Sequence, residues 1–192
     1  MRRLDTFAAV RRALRAVLGR QLEFRIVHVS VQNTHVHLLV EALDKKALAN
    51  GMRAFQISAA KHINATVSRR RRMQERRRGS VFVDRYYTED LGSVRQVRHA
   101  LSYVINNWRR HGEDRGMFAL FEGRLDPFAS GLAFGGWREV IPDEDRWLPR
   151  DYEPPEVSAP RTWLLGLGWA RAPAISMFEV PGPRARRARM SA

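Results

Sequence analysis

One stretch limits the possible folds more than any other, the segment 24–42, FRIVHVSVQNTHVHLLVEA. Apolar residues alternate through Phe24 and Ile26, then through Val27, Val29 and Val31. A polar break follows at Gln32, Asn33 and Thr34, and a second run opens at His35. Two alternating runs around a short polar turn predict an antiparallel hairpin. Side chains alternate along a strand, so His35, His37 and Leu39 share one face of the second run, and Val36, Leu38 and Val40 the other.

The flanking segments have a different period. Phe7, Val10, Leu14, Val17 and Leu18 recur at three- and four-residue spacings among arginines, which predicts an amphipathic helix over 7–18 that stops near Gly19. Asp44 caps a second helix over 45–67, with Leu48, Met52, Phe55, Ala59 and Ile63 on its stripe and Ile57 off it. Residues 80–87, SVFVDRYY, are β-branched and aromatic enough to predict a third strand. Ser93 then caps a helix in which Val94, Val97, Leu101, Val104, Ile105 and Trp108 keep a helical period until His111 and Gly112 close it. Helices around an antiparallel hairpin make the fold class α+β. Past residue 125 glycine, proline and tryptophan increase, and Pro142, Pro149, Pro154, Pro155 and Pro160 interrupt regular structure. The expected organisation is a unit over 1–125 and an irregular extension over 126–192. That extension has short helices at 158–167 and 176–179 and a basic tail at 184–189.

Charge names the first partner to consider. Thirty-four Lys and Arg against 20 Asp and Glu give a net +14 in 192 residues, an excess suited to a polyanion. Arg69, Arg70, Arg71, Arg72, Arg76, Arg77 and Arg78 fall within ten residues, enough for about five phosphates or for a solvated loop. Arg85 and Tyr86 are candidates to touch a nucleic-acid backbone or stack on a base, with core packing the favoured reading of Tyr86. No apolar run of membrane-spanning length and no signal-peptide core occurs, so a soluble, cytoplasmic protein is expected. With no cysteine, any metal must be held by imidazole, carboxylate or amide groups.

His35-Val36-His37 puts two imidazoles on one strand face, about 7 Å apart at the backbone, where they can converge on one ion. The same spacing also suits plain polar surface. Tyr103 and Asn107 are four residues apart on one helix face. A mid-helix tyrosine is ordinarily a packing residue, and its phenol, with a normal pKa near ~10, needs a base or cation beside it to act as a nucleophile. An ion on His35, His37 and the Asn107 amide oxygen would instead polarise a phosphate and stabilise charge developing on it.

Together, segment 24–42, residues 79–86 (GSVFVDRY) and residues 100–111 (ALSYVINNWRRH) resemble the HUH single-tyrosine transposases, close to the branch associated with bacterial repetitive extragenic palindromes. The resemblance covers about residues 7–125. It implies a ferredoxin-like antiparallel sheet with helices on one face. Because this chain opens directly into its first helix, the family's first strand is expected to be missing. It also implies Tyr103 as nucleophile, His35, His37 and Asn107 as ligands of Mg2+ or Mn2+, and single-stranded or hairpin DNA as substrate, held by a monomer or homodimer at the bacterial nucleoid. The implied reaction is nicking and rejoining through a 5′-phosphotyrosine link, with no nucleotide cofactor. The alternative is an inactive or domesticated DNA-binding descendant. A water-activating hydrolase would use the histidines and not Tyr103. Of the remaining candidates, His28 is read as a buried histidine bonded to backbone or as a neighbour of the pair. His62, His99 and His111 are read as facing solvent, and Glu41 as a possible extra carboxylate near the metal.

Overall fold

The hairpin forms where the alternation puts it. In the computed structural model, which describes residues 1–18, 23–115, 125–140 and 152–182, β1 (Phe24–Val31) pairs antiparallel with β2 (Val36–Ala42). The Gln32 amide donates to the His35 carbonyl at 2.9 Å and closes the turn. The break in the alternation at Val27 has a structural cause. The ladder passes from Ile26 opposite Val40 to His28 opposite Leu39, leaving Val27 as the extra residue of a bulge.

That bulge sorts the side chains between two cores. On one face, Ile26, Val29 and Val31 pack with Phe7, Val10 and Leu14 of α1 (Leu4–Leu18) and with Met52, Phe55 and Ile63 of α2 (Lys45–Arg70). On the other, Val27 and Leu39 meet Val97, Leu101, Val104 and Ile105 of α3 (Val94–Arg110), and Phe134, Leu165 and Ile175 complete this second core. The fold is therefore α+β, a two-stranded antiparallel sheet with helices packed against it. The helices expected on one face are α1 and α2, and α3 covers the opposite one.

Capping follows the expected chemistry. Asp44 accepts from the Ala47 amide at 2.7 Å, and Ser93 accepts from the Gln96 amide at 3.3 Å. α2 continues to Arg70, past the expected end at 67, since arginine is a good helix former and nothing in the intervening sequence breaks the helix.

The strand expected over 80–87 does not form. Val81 and Phe82 fold onto the α1–α2 core, with the Phe82 ring 6.3 Å from that of Phe55, while Val83 is 89% exposed. Tyr86 and Arg85 are exposed as well, which corrects the core assignment of Tyr86. Strand propensity is fit to a half-buried pleated surface, and it needs an open neighbouring edge. The outer edge of β1 is taken by the later chain: Val31 donates to Phe128, Ser30 bridges Ala129, and Ser158 donates to Ile26. The helix expected over 158–167 shortens to α4 (Trp163–Gly166), capped by Thr162, and 176–179 is a single turn closed from Glu179 to Ser176 at 3.1 Å. The basic tail lies outside the described residues. Among them, no helix is long and apolar enough to cross a membrane.

Candidate active site

The face of β2 turned toward α3 carries His37, and His35 precedes it at the turn. Their Nε2 atoms lie 2.9 Å apart. Two donors held at right angles on an ion about 2.1 Å away are separated by about 3 Å, so this spacing suits a shared ligand as well as a shared proton. The Thr34 hydroxyl lies 3.0 Å from Nδ1 of His35 and steadies that ring from behind.

α3 presents a matching stripe. Tyr103, Asn107 and His111 follow one another at four-residue intervals and so lie on one side of the helix. The half-buried Tyr103 ring meets His37 edge-on at 5.1 Å between centroids, and the exposed His111, at the helix C-cap, meets His35 at 6.0 Å. Asn107 lies between these two contacts along the helix. It is 0% exposed, and neither its amide oxygen nor its amide nitrogen has a hydrogen-bond partner. A buried carboxamide left unpaired is costly, and an amide oxygen is a suitable hard ligand. Among the described residues no group of three or more His, Cys, Asp or Glu side chains could hold a metal.

Burial, followed by the neighbouring His35 and His111, pushes the His37 imidazole down to about 4. Burial, His111 and the N-terminal ammonium lower His35 as well. Both rings are thus biased to the neutral form in which imidazole binds metals. Beside His37 across the ladder stands buried Ser30, which accepts from Gln32 Nε2 at 2.6 Å. His28 is also buried, but its partner is the Ser130 hydroxyl at 3.0 Å and not the expected backbone.

The other sequence candidates separate. Glu41 holds the capping residue of α4, accepting from the Thr162 amide at 2.9 Å and its hydroxyl at 2.7 Å, which places it in the fold and not beside the histidines. His99 faces solvent and His62 is half-buried. All seven arginines of the run are exposed. They form the end of α2 and a loop folded back on it, where Asn64 donates to the Gly79 carbonyl at 2.8 Å and Arg76 to that of Lys61 at 3.0 Å. Lys61, Arg76, Arg77 and Arg78 line a concavity of about 410 Å3 there. Arg70 pairs with Asp5 at 3.1 Å, and Arg2, also near the start of α1, donates to the Val31 carbonyl at the hairpin turn. The arginine run therefore begins at the same end of the molecule as His35.

Two groups at this end were not singled out from sequence. Glu113 accepts from Asn33 of the turn at 2.8 Å and pairs with Arg2 at 3.0 Å, and burial pushes its carboxyl up against the pull of that arginine. His111 was read only as facing solvent. Extending the Tyr103–Asn107 spacing by one turn is the signal that finds it.

The family model described as "Transposase IS200 like" matches residues 7–107, which takes in α1, the hairpin, α2, the exposed segment and α3 as far as Asn107. No curated protein and no solved structure matches.

Proposed function

This chain belongs to the IS200-like transposase family, and from that premise we propose that it nicks and rejoins single-stranded or hairpin DNA, with Tyr103 as nucleophile. The observation that carries the reading is the Tyr103 ring against His37 of a near-touching histidine pair, with a buried, unpartnered Asn107 one turn further along the same side of α3. His35, His37 and Asn107 would hold the divalent ion, Mg2+ or Mn2+. When bound, that ion would draw charge from the oxygens of the scissile phosphate.

The chain's own groups do the rest. Tyr103 releases its phenolic proton to solvent and bonds to phosphorus. The P–O3′ bond breaks, its electron pair stays on the 3′-oxygen, and that oxygen takes a proton to become a 3′-hydroxyl. The DNA is left linked through its 5′-phosphate to Tyr103. Attack by a 3′-hydroxyl on that link reverses each change and rejoins the strand, so bond energy is conserved and no nucleotide is consumed. His111, at the open rim beside His35, offers a ring N–H to a phosphate oxygen. The arginines at 69–72 and 76–78, with Arg85, provide sequence-independent contacts to the backbone.

The test uses the purified chain, a labelled hairpin with a single-stranded flank, and either manganese or a chelator. The expected result is a denaturation-resistant protein–DNA band that requires the metal and disappears in Tyr103→Phe. DNA retention with no band under any condition overturns the nucleophile and leaves a binding protein. A metal-dependent cut that survives Tyr103→Phe points to water as the nucleophile.

A further inference from the structure

Residues 173–181, outside the stretch that the family model matches, run along α3 as a strap. Arg98 holds it at two points: its Nε donates to the Pro173 carbonyl at 2.9 Å and its guanidinium forks onto the Glu179 carboxylate, reaching Oε2 at 2.6 Å. The Ser102 hydroxyl donates to the same carboxylate at 2.7 Å. Further along, Asn106 donates to the Ser176 carbonyl at 2.9 Å, and Arg109 to that of Met177 at 2.7 Å. Arg98, Ser102 and Asn106 are all buried. These donors lie on one side of α3, about two-fifths of a turn round from the Tyr103–Asn107–His111 stripe.

The contacts act on the rotation of the helix. An apolar face seated on a sheet tolerates small rolls, because burial is not directional. Hydrogen bonds from successive turns to fixed acceptors do not tolerate them, since these bonds weaken steeply off-axis. A tyrosine hydroxyl stands about 8–9 Å from its helix axis, so a roll of about 10° carries it about 1.5 Å, and a misplacement of about 1 Å can cost about a hundredfold in rate.

We propose that the 173–181 strap is a positioning element for the transesterification, fixing the roll of α3 and hence the reach of Tyr103, with Glu179 as its principal positioning residue. The inference rests on the reading of Tyr103 as nucleophile. It gives part of the chain beyond the family match a place in the reaction.

The experiment compares the full chain with Glu179→Ala, Glu179→Gln and Ser102→Ala. Three quantities are measured: the rate of adduct formation at saturating hairpin DNA, the DNA dissociation constant, and amide hydrogen exchange. The expected loss in Glu179→Ala is about tenfold to a hundredfold in rate with affinity changed by less than about twofold. Exchange is expected to accelerate in α3 and not in α1 or α2. Glu179→Gln, which keeps an oxygen to accept from Ser102, is expected to recover much of the rate. Ser102→Ala removes one strap bond in a chain that still folds and is expected to show the same pattern more weakly, so the proposal stays testable if Glu179→Ala does not fold. Unchanged rates in both alanine variants overturn the proposal. So does a parallel fall in rate, affinity and protection throughout the chain, which marks Glu179 as a fold residue only. If the unsubstituted chain forms no adduct, the Tyr103 reading fails on its own account and the positioning role fails with it. Exchange in α3 then separately shows whether the strap holds the helix.

Discussion

Asn107 is a buried carboxamide with nothing to bond to, and a residue of that kind destabilises a fold unless something else uses it. An unmet buried polar group costs about 1–3 kcal/mol, and an apolar group of the same size escapes that cost. Asn107→Leu is therefore expected to raise the melting temperature of the metal-free chain while abolishing any manganese-induced rise. A lower melting temperature in chelator would show that Asn107 has a partner in the fold and is not reserved for a ligand. The histidines make a separate prediction. Burial holds His28 and His37 at about 4, against 6.5 for a free imidazole. Between those values the unfolded chain binds more protons than the folded one, so the metal-free protein should lose stability as pH falls from about 6.5 to about 4 and level off below. Each histidine contributes at most about 1.4 kcal/mol per pH unit in that window. His28→Gln, outside the convergent pair, should flatten the slope of melting temperature against pH. An unaltered slope would assign the titration elsewhere.

Gly51 shows how an element can contradict its own propensity. It sits in α2, where alanine would ordinarily be favoured by about 1 kcal/mol, yet a Cβ there would overlap the buried Phe24 ring of β1. Gly51→Ala is accordingly expected to destabilise the chain by about 1–3 kcal/mol in urea unfolding, with the sign opposite to helix propensity. Stabilisation would mean that Phe24 can move aside. The same contrast between local and distant constraints explains what was readable from sequence. The hairpin, α1, α2 and α3 were legible because each is specified by a short-range period, and the phase slip at Ile26–Val27 was visible as a broken alternation before it had a meaning. The pairs His35–His37 and Tyr103–Asn107 were legible for the same reason, as residue types at fixed spacings on two periodic elements, whereas joining them into one candidate site rested on the family resemblance. Residues 80–87 were misread because a strand depends on a free edge elsewhere in the chain, and the edge of β1 is claimed by residues 128–130 and 158. His111 was passed over because a lone helical histidine carries no signal until the hairpin turn is known to lie against it.

At the scale of the molecule the C-terminal segments and the charge distribution were the least legible features, since neither has a period. Phe128 and Ile175 are among the most buried side chains, and they come from sequence that reads as irregular. The arginine run reads as a charge count, whereas contacts from Arg70 to Asp5 and from Arg2 to the hairpin turn tie its start to the histidine end of the fold. If Tyr103 is the nucleophile, that placement suits a DNA strand whose backbone continues past the reacting phosphate. Each phosphate contact on a single strand adds about 0.7 to the slope of log affinity against log salt. Replacing Arg76, Arg77 and Arg78 with alanine should lower that slope by about 2 and weaken binding to a similar extent for every sequence. The rate of adduct formation at saturating DNA should stay close to that of the unsubstituted chain, because none of the three touches the Tyr103 stripe. The effect then falls on KM and leaves kcat. If the triple variant keeps the salt slope and loses rate instead, the loop acts on the reacting groups, and the anion that it balances is at the scissile phosphate and not along the flanking strand.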